Sequence, residues 1–209
     1  EYDFAEVEFT YQTGGLTFAL EKIPMWWSTG RRGSLMLSPK APAAPQIRFR
    51  AALADWLDFT YIHADLSSNV LDSSRSYSAY SSPSVNFFRP VYRQKYMAAH
   101  VLEASVTDWL DVSFGESIVY SDKNPQMMYI IPVMFFKSGE HYNKDTDNAQ
   151  FFLSADVNPG YGINLFGSLF IDEIATSALF DPDKVRNQLG FTLGAQLFDL
   201  PVRNTEILL

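Results

Sequence analysis

The sequence predicts an all-β chain folded as a transmembrane antiparallel up-and-down β-barrel, with about ten strands in this chain. Three observations predict it: segments of about ten residues that alternate apolar with polar or small side chains, short turns between them, and four long connections on the opposite side. Mirror pairing about each turn lines up one apolar face throughout, and a slip of one residue would mix the two faces. Strands of that length rise about 3.3 Å per residue and, tilted near 40°, cross about 25 Å of apolar membrane. A soluble β-sandwich also alternates, but on strands nearer five or six residues that bury one face on a second sheet.

The first hairpin turns at Gln12 to Gly15, with Tyr11 opposite Leu16, Phe9 opposite Phe18 and Val7 opposite Leu20. The second turns at Ala54-Asp55-Trp56; it pairs Leu53 with Leu57, Ala51 with Phe59 and Phe49 with Tyr61, leaving Arg48, Arg50, Asp58 and Thr60 on the other face. The third turns at Thr107-Asp108-Trp109 and pairs Val106 with Leu110, Ala104 with Val112, Leu102 with Phe114, Ala98 with Ile118 and Tyr96 with Tyr120. Its wet face carries Glu103, Ser105, Asp111, Ser113, Gly115 and Ser117. The fourth, about Asn158-Pro159-Gly160, pairs Val157 with Tyr161, Ala155 with Ile163, Leu153 with Leu165, Phe151 with Gly167 and Ala149 with Leu169, with Gln150, Ser154, Asp156, Asn164, Ser168 and Asp172 inside. A last full strand sets Leu189, Phe191, Leu193, Ala195 and Leu197 against Gln188, Gly190, Thr192, Gly194 and Gln196, then turns at Leu200-Pro201.

Residues 1–209 read as a single barrel domain with long connections at 24–45, 67–94, 122–147 and 173–186. Bacterial outer-membrane barrels keep short turns in the periplasm and long loops outside, so the long set faces the exterior. Tyr96 and Tyr120 then fall at the outer aromatic girdle, and Trp56 and Trp109 near the inner one. Both of those turns read Asp-Trp-Leu-Asp, at 55–58 and 108–111.

Composition agrees and narrows the function classes. No stretch approaches 18 uninterrupted apolar residues, which excludes a helical membrane protein. The absence of cysteine removes disulfides, thiolate catalysis and cysteine zinc sites. A net charge of −8 argues against nucleic acid as a partner. There is neither an initiating Met nor a signal peptide, and the chain starts and stops inside strands without a terminal aromatic residue, so an incomplete barrel is expected.

Two stretches carry a family resemblance. Trp26-Trp27-Ser28-Thr29-Gly30, followed by Gly33-Ser34-Leu35-Met36-Leu37-Ser38 and Ala41-Pro42, resembles the tryptophan-glycine, Ser-Leu-Ile-Leu-Ser and Ala-x-Pro run of Wzi-type capsule-assembly outer-membrane proteins. The succession Ala99-His100-Val101-Leu102-Glu103, Gly115 to Tyr120, Ile131 to Phe136, Glu140-His141 and Asp147-Asn148 is similar to capsule-assembly-like barrels of Bacteroidetes-type bacteria. One departure is Ser28, where the family run has glycine after tryptophan. The resemblance implies an outer-membrane barrel of roughly eighteen strands in a Gram-negative bacterium, of which this chain would be part. It implies as function the binding or anchoring of capsular or exopolysaccharide at the cell surface. Its implied partners are the lipid bilayer, lipopolysaccharide, the surface polysaccharide and other outer-membrane proteins, without a cofactor. The alternative from another class is an outer-membrane pore or a structural subunit of an outer-membrane export complex.

Sugar binding needs flat aromatic faces, with charged or amide groups to fix hydroxyls and carboxylates. The 24–45 loop offers Trp26, Trp27, Arg31, Arg32 and Lys40 together, and arginine guanidinium forks suit acidic sugars. Tryptophans at a strand end are otherwise membrane-girdle residues. Arg48 and Arg50 fall on the lumen face, as selectivity charges of a pore or as partners of lumen carboxylates such as Asp58, Glu103 or Asp111. His100 and Glu116 stand opposite each other on the apolar face, where an uncompensated charge costs about 2 to 4 kcal/mol. A cross-strand hydrogen bond is expected between them; a bulge turning Glu116 into the lumen, or a partner interface, are the rivals. The apolar run Met127 to Phe136 does not alternate, so it folds inward as a plug or packs on neighbouring loops. Lys137, Glu140, His141, Asp145 and Asp147 read as a solvated loop surface before a metal site. No Gly-x-Ser-x-Gly, His-Glu-x-x-His or phosphate loop occurs, and the histidines at 63, 100 and 141 lie far apart, so no enzyme is expected.

Overall fold

The structure, a computed structural model, describes residues 5–27, 29–82, 85–121, 124–173 and 188–209. The connection expected at 173–186 therefore lies almost wholly outside the described residues. Along the chain run β1 (Val7–Thr13), β2 (Leu16–Lys22), β3 (Gln46–Ala54), β4 (Leu57–Leu66), β5 (Tyr77–Ser82), β6 (Val85–Arg89), β7 (Lys95–Thr107), β8 (Leu110–Ser121), β9 (Asn148–Gly160), β10 (Ile163–Glu173), β11 (Gln188–Phe198) and β12 (Glu206–Leu208). Two short helices, α1 (Met127–Ile130) and α2 (Phe136–Tyr142), lie between β8 and β9. All strands but β5 and β6 form one ten-stranded antiparallel sheet in which each lies beside its chain neighbour. β5 and β6 pair only with each other, as a hairpin inside the 67–94 connection. Among the described residues β1 and β12 are each paired on one side only, so the sheet is not closed. No described helix is long and apolar enough to cross a membrane, a fact that does not bear on strands.

Mirror pairing holds where alternation is strict. Ala51 faces Phe59 and Phe49 faces Tyr61 between β3 and β4; Ala104 faces Val112, Leu102 faces Phe114, Ala98 faces Ile118 and Tyr96 faces Tyr120 between β7 and β8. Close to both turns a bulge changes the last pairs, so Ala54 rather than Leu53 meets Leu57, and Thr107 rather than Val106 meets Leu110. Two hairpins slip by an even number of residues. Phe9 lies opposite Leu20, not Phe18, because the turn is the two-residue Gly14-Gly15, with φ of +54° and +82°. Leu153 lies opposite Leu169, not Leu165, because the chain reverses at Tyr161-Gly162, with φ of +58° and +72°, beyond Asn158-Pro159. Paired positive φ values are the geometry whose twist suits a two-residue hairpin. Even slips keep every side chain on its expected face.

The faces differ in what covers them. At the end of the sheet near the long connections, the apolar face is covered by the segment carrying α1 and α2. Tyr129 and Phe136, both fully buried, pack with Phe59, Tyr61, Tyr96, Ala98, Ile118, Tyr120 and Ala149. Each large side chain so buried contributes about 1.5 to 3 kcal/mol. Tyr61 donates to the Tyr129 carbonyl at 2.6 Å, and Tyr129 donates to Asp147 Oδ2 at 2.8 Å. Burial, and then the Asp147 carboxylate, push the Tyr129 hydroxyl pKa up. Thus the Met127 to Phe136 run packs on the sheet's apolar face, and Tyr96 and Tyr120 lie buried beneath it. Elsewhere that face is open: Phe9 69%, Leu20 60%, Phe114 52%, Leu153 48%, Phe191 75% and Leu193 78% exposed form a belt along the sheet.

Candidate functional site

The polar face gathers the charged groups of the strands into pairs. Arg48 reaches Glu21 through two bonds of 2.9 Å and Glu8 through one of 3.1 Å, while Gln46 donates to the same Glu21 carboxylate at 2.8 Å. Arg50 pairs with Asp58 at 2.9 Å, one of the lumen partners the sequence suggested. Ser105 donates to Asp111 at 2.6 Å, and the Ser113 and Ser154 hydroxyls share a hydrogen bond of 2.5 Å. Such charge-assisted and bidentate bonds fix the arginine side chains in place.

Three phenylalanines break the polar pattern of this face, and each stands opposite a glycine: Phe152 by Gly115, Phe166 by Gly194, Phe170 by Gly190. At the first two pairs the ring lies over the glycine so closely that a Cβ there would strike it. Glycine removes the side chain that would compete for the same space, and the aromatic ring covers the bare backbone in return.

These rings form the platform on which the 24–45 connection rests. Trp27 packs against Phe152 with ring centroids 6.1 Å apart, and the Arg31 guanidinium lies 5.5 Å from the Phe166 centroid. Arg31 also donates to Asp156 at 3.0 Å, Asn164 at 3.2 Å and Gln196 at 3.3 Å, and Thr29 donates to the Gly167 carbonyl at 3.1 Å. The connection is pinned within itself by the Trp27 to Leu37 bridge and by Ser34 Oγ donating to the Trp27 carbonyl at 2.9 Å. A loop read as exterior therefore folds back over the polar face, reaching β9, β10 and β11. With Arg31 42% exposed, Arg31→Ala is expected to cost about 1 kcal/mol of this docking, raising tryptic cleavage after Arg32 and Lys40 about fivefold. Limited proteolysis followed by mass spectrometry measures it; unchanged cleavage means that the loop is held by its tryptophan alone.

Between loop and sheet opens a cleft of about 360 Å³. Its walls are Trp26, Trp27 and Met36 from the loop, Asp55 and Trp56 from the β3–β4 turn, and side chains of β3, β4, β7, β8 and β9, among them Arg50, Asp58, Glu103, Asp111 and Ser154. Of the six residues singled out in the sequence, Trp26, Trp27 and Arg50 meet here. Arg31 is committed to Asp156 and its neighbours, Arg48 to Glu21, and Arg32 is exposed on the loop. The carboxylates of the cleft escaped sequence reasoning as a site, because they were read as partners for lumen arginines. The phenylalanines of the polar face escaped it too, although the strand parity alone puts them among serines and asparagines.

His100 and Glu116 are cross-strand neighbours as expected, but their closest N–O approach is 3.7 Å and no hydrogen bond joins them. Glu116, fully buried, instead accepts the backbone N–H groups of Phe136, at 2.8 Å, and Lys137, at 2.5 Å, at the start of α2. The His100 ring packs on Phe136 at 4.6 Å. Among the described residues no group of three or more His, Asp or Glu side chains is placed to hold a metal ion.

A comparison with known protein families, curated proteins and solved structures finds none that matches the chain.

Proposed function

We propose that this chain builds part of the wall of a transmembrane β-barrel in the outer membrane of a Gram-negative bacterium. Its polar face would form the lumen, and the cleft beneath the 24–45 loop would bind or anchor capsular or exopolysaccharide. The cleft carries this reading: three tryptophans, two of them delivered by a loop, stand over a floor of hydroxyls and carboxylates. Aromatic faces with flanking hydrogen-bonding groups are what a pyranose ring needs. The belt of exposed apolar residues on the other face supports a lipid-facing role, since soluble monomers rarely leave so continuous an apolar surface uncovered. Strands of 11 to 13 residues from β7 to β11 are long enough for an outer-membrane wall. In such a wall the free edges of β1 and β12 would be paired by further strands. The Wzi-type resemblance, resting on its short motifs, points the same way.

The loop laid across the polar face speaks against a freely open pore. One observation favours a role in export: Asp55 and Trp56 place the cleft at the short-turn end, the periplasmic side of a bacterial barrel. The Trp26→Ala/Trp27→Ala protein, present in the outer membrane at normal level, separates the readings. Polysaccharide moving from the cell into the medium supports anchoring, loss from both supports export, and unchanged cell-bound polysaccharide contradicts both.

A further inference from the structure

The cleft selects its ligand by charge. Resting on the saccharide reading of this site, we infer that the sugar it accepts carries a protonated amine, and that acidic polysaccharides are excluded. Arginine-rich composition in and around the 24–45 loop suggests the opposite, a site for acidic sugars. Pairing cancels that expectation for three of the four arginines, and the fourth, Arg32, is exposed on the loop and does not line the cleft. Arg31 faces Asp156, Arg48 faces Glu21 and Glu8, and Arg50, which does line the cleft, faces Asp58. What remains on the walls is Asp55, Glu103 and Asp111, with no cation within ion-pair distance among the described residues. Four carboxylates against one guanidinium leave the walls with a formal charge of −3.

A uronate or phosphate entering such a space would lose its water and meet like charge. An ammonium group gains twice: it pairs with a carboxylate and can sit over an indole face, the strongest aromatic partner for a cation. Ser105, Ser113 and Ser154 on the same walls supply donors and acceptors for ring hydroxyls. At about 360 Å³ the cleft is at the small end of ligand sites, suited to one or two sugar units and too small for a folded basic segment.

Intrinsic fluorescence reads this directly, because three of the four tryptophans line the cleft. The whole protein in detergent is titrated with glucosamine oligomers, their N-acetylated counterparts and oligogalacturonate, at low and high salt. Glucosamine oligomers are expected to change the emission and to bind at least tenfold more tightly than either of the others. That binding is expected to weaken at least tenfold at high salt and in Glu103→Gln/Asp111→Asn. Equal or tighter binding of the N-acetylated oligomer leaves the saccharide reading standing and overturns the amine. Tighter binding of oligogalacturonate overturns the charge argument, as does glucosamine binding that ignores both salt and the double substitution. Binding of none of the three overturns the saccharide reading of the cleft itself.

Discussion

Gly115→Val is expected to destabilise the protein by about 3 kcal/mol, a large effect for one added side chain. Gly115 lies between Val101 of β7 and Phe152 of β9. A Cβ built there strikes both the Phe152 ring and the His100 carbonyl oxygen at distances that real Cβ atoms do not reach. The ring could swing aside, but it would then leave Trp27, which rests on it. The carbonyl belongs to the β7 backbone and can move only with the strand. Gly33, with open space at its Cβ and no positive φ, is the control, and Gly33→Ala is expected to stay within about 0.5 kcal/mol. Denaturant unfolding measures both. Adding Phe152→Leu should recover part of the Gly115→Val loss, because the two sites share one space. A Gly115→Val protein as stable as its parent would contradict the observed β8–β9 register.

The second large effect concerns Glu116. Glu116→Ala is expected to cost about 3 kcal/mol or more, because two N–H groups at the start of α2 lose their acceptor in a buried site. α2 has no side-chain cap of its own, so the strand carboxylate alone does this work. Without it, the cover formed by Tyr129 and Phe136 should loosen, and proteolysis between 127 and 142 should accelerate. His100 discriminates between the two accounts of this pair. If His100 were the main partner, His100→Gln would cost as much as Glu116→Ala, and a double-mutant cycle would show strong coupling. The 3.7 Å separation predicts a smaller His100→Gln loss and a coupling below about 0.5 kcal/mol.

That pair illustrates how far the sequence reaches. Strict alternation placed His100 opposite Glu116 on the apolar face, and the ladder keeps both there. What alternation cannot supply is the third party, a helix arriving from a connection twenty residues on to take the carboxylate. Period-two patterning also leaves register ambiguous by even steps, and only turn chemistry resolves it. Gly14-Gly15 carries the signature of a two-residue turn, which the four-residue turn expected at Gln12 to Gly15 passed over; at 158–162 the Asn-Pro-Gly run masked the reversal at Tyr161-Gly162. The β5–β6 hairpin and the helices are short and lie within connections, where no long periodic signal marks them. The cleft was half legible. Trp26, Trp27 and Arg50 were found by residue type, but a loop's choice of face is a tertiary matter. Its trace in the sequence was the phenylalanines at 152, 166 and 170, each opposite a glycine.

Everything proposed about function requires the apolar face to meet lipid and the polar face to meet water. The chain contains no cysteine, so single-cysteine labelling is clean. The decisive measurement places an environment-sensitive fluorophore in turn at Phe191, Thr192 and Leu193 of β11, with the protein in phospholipid vesicles, and compares quenching by brominated acyl chains with quenching by iodide. Phe191 and Leu193, 75% and 78% exposed, should be quenched by the brominated lipid, and Thr192 between them should not. Uniform quenching by iodide at all three positions, with none by lipid, would contradict the barrel.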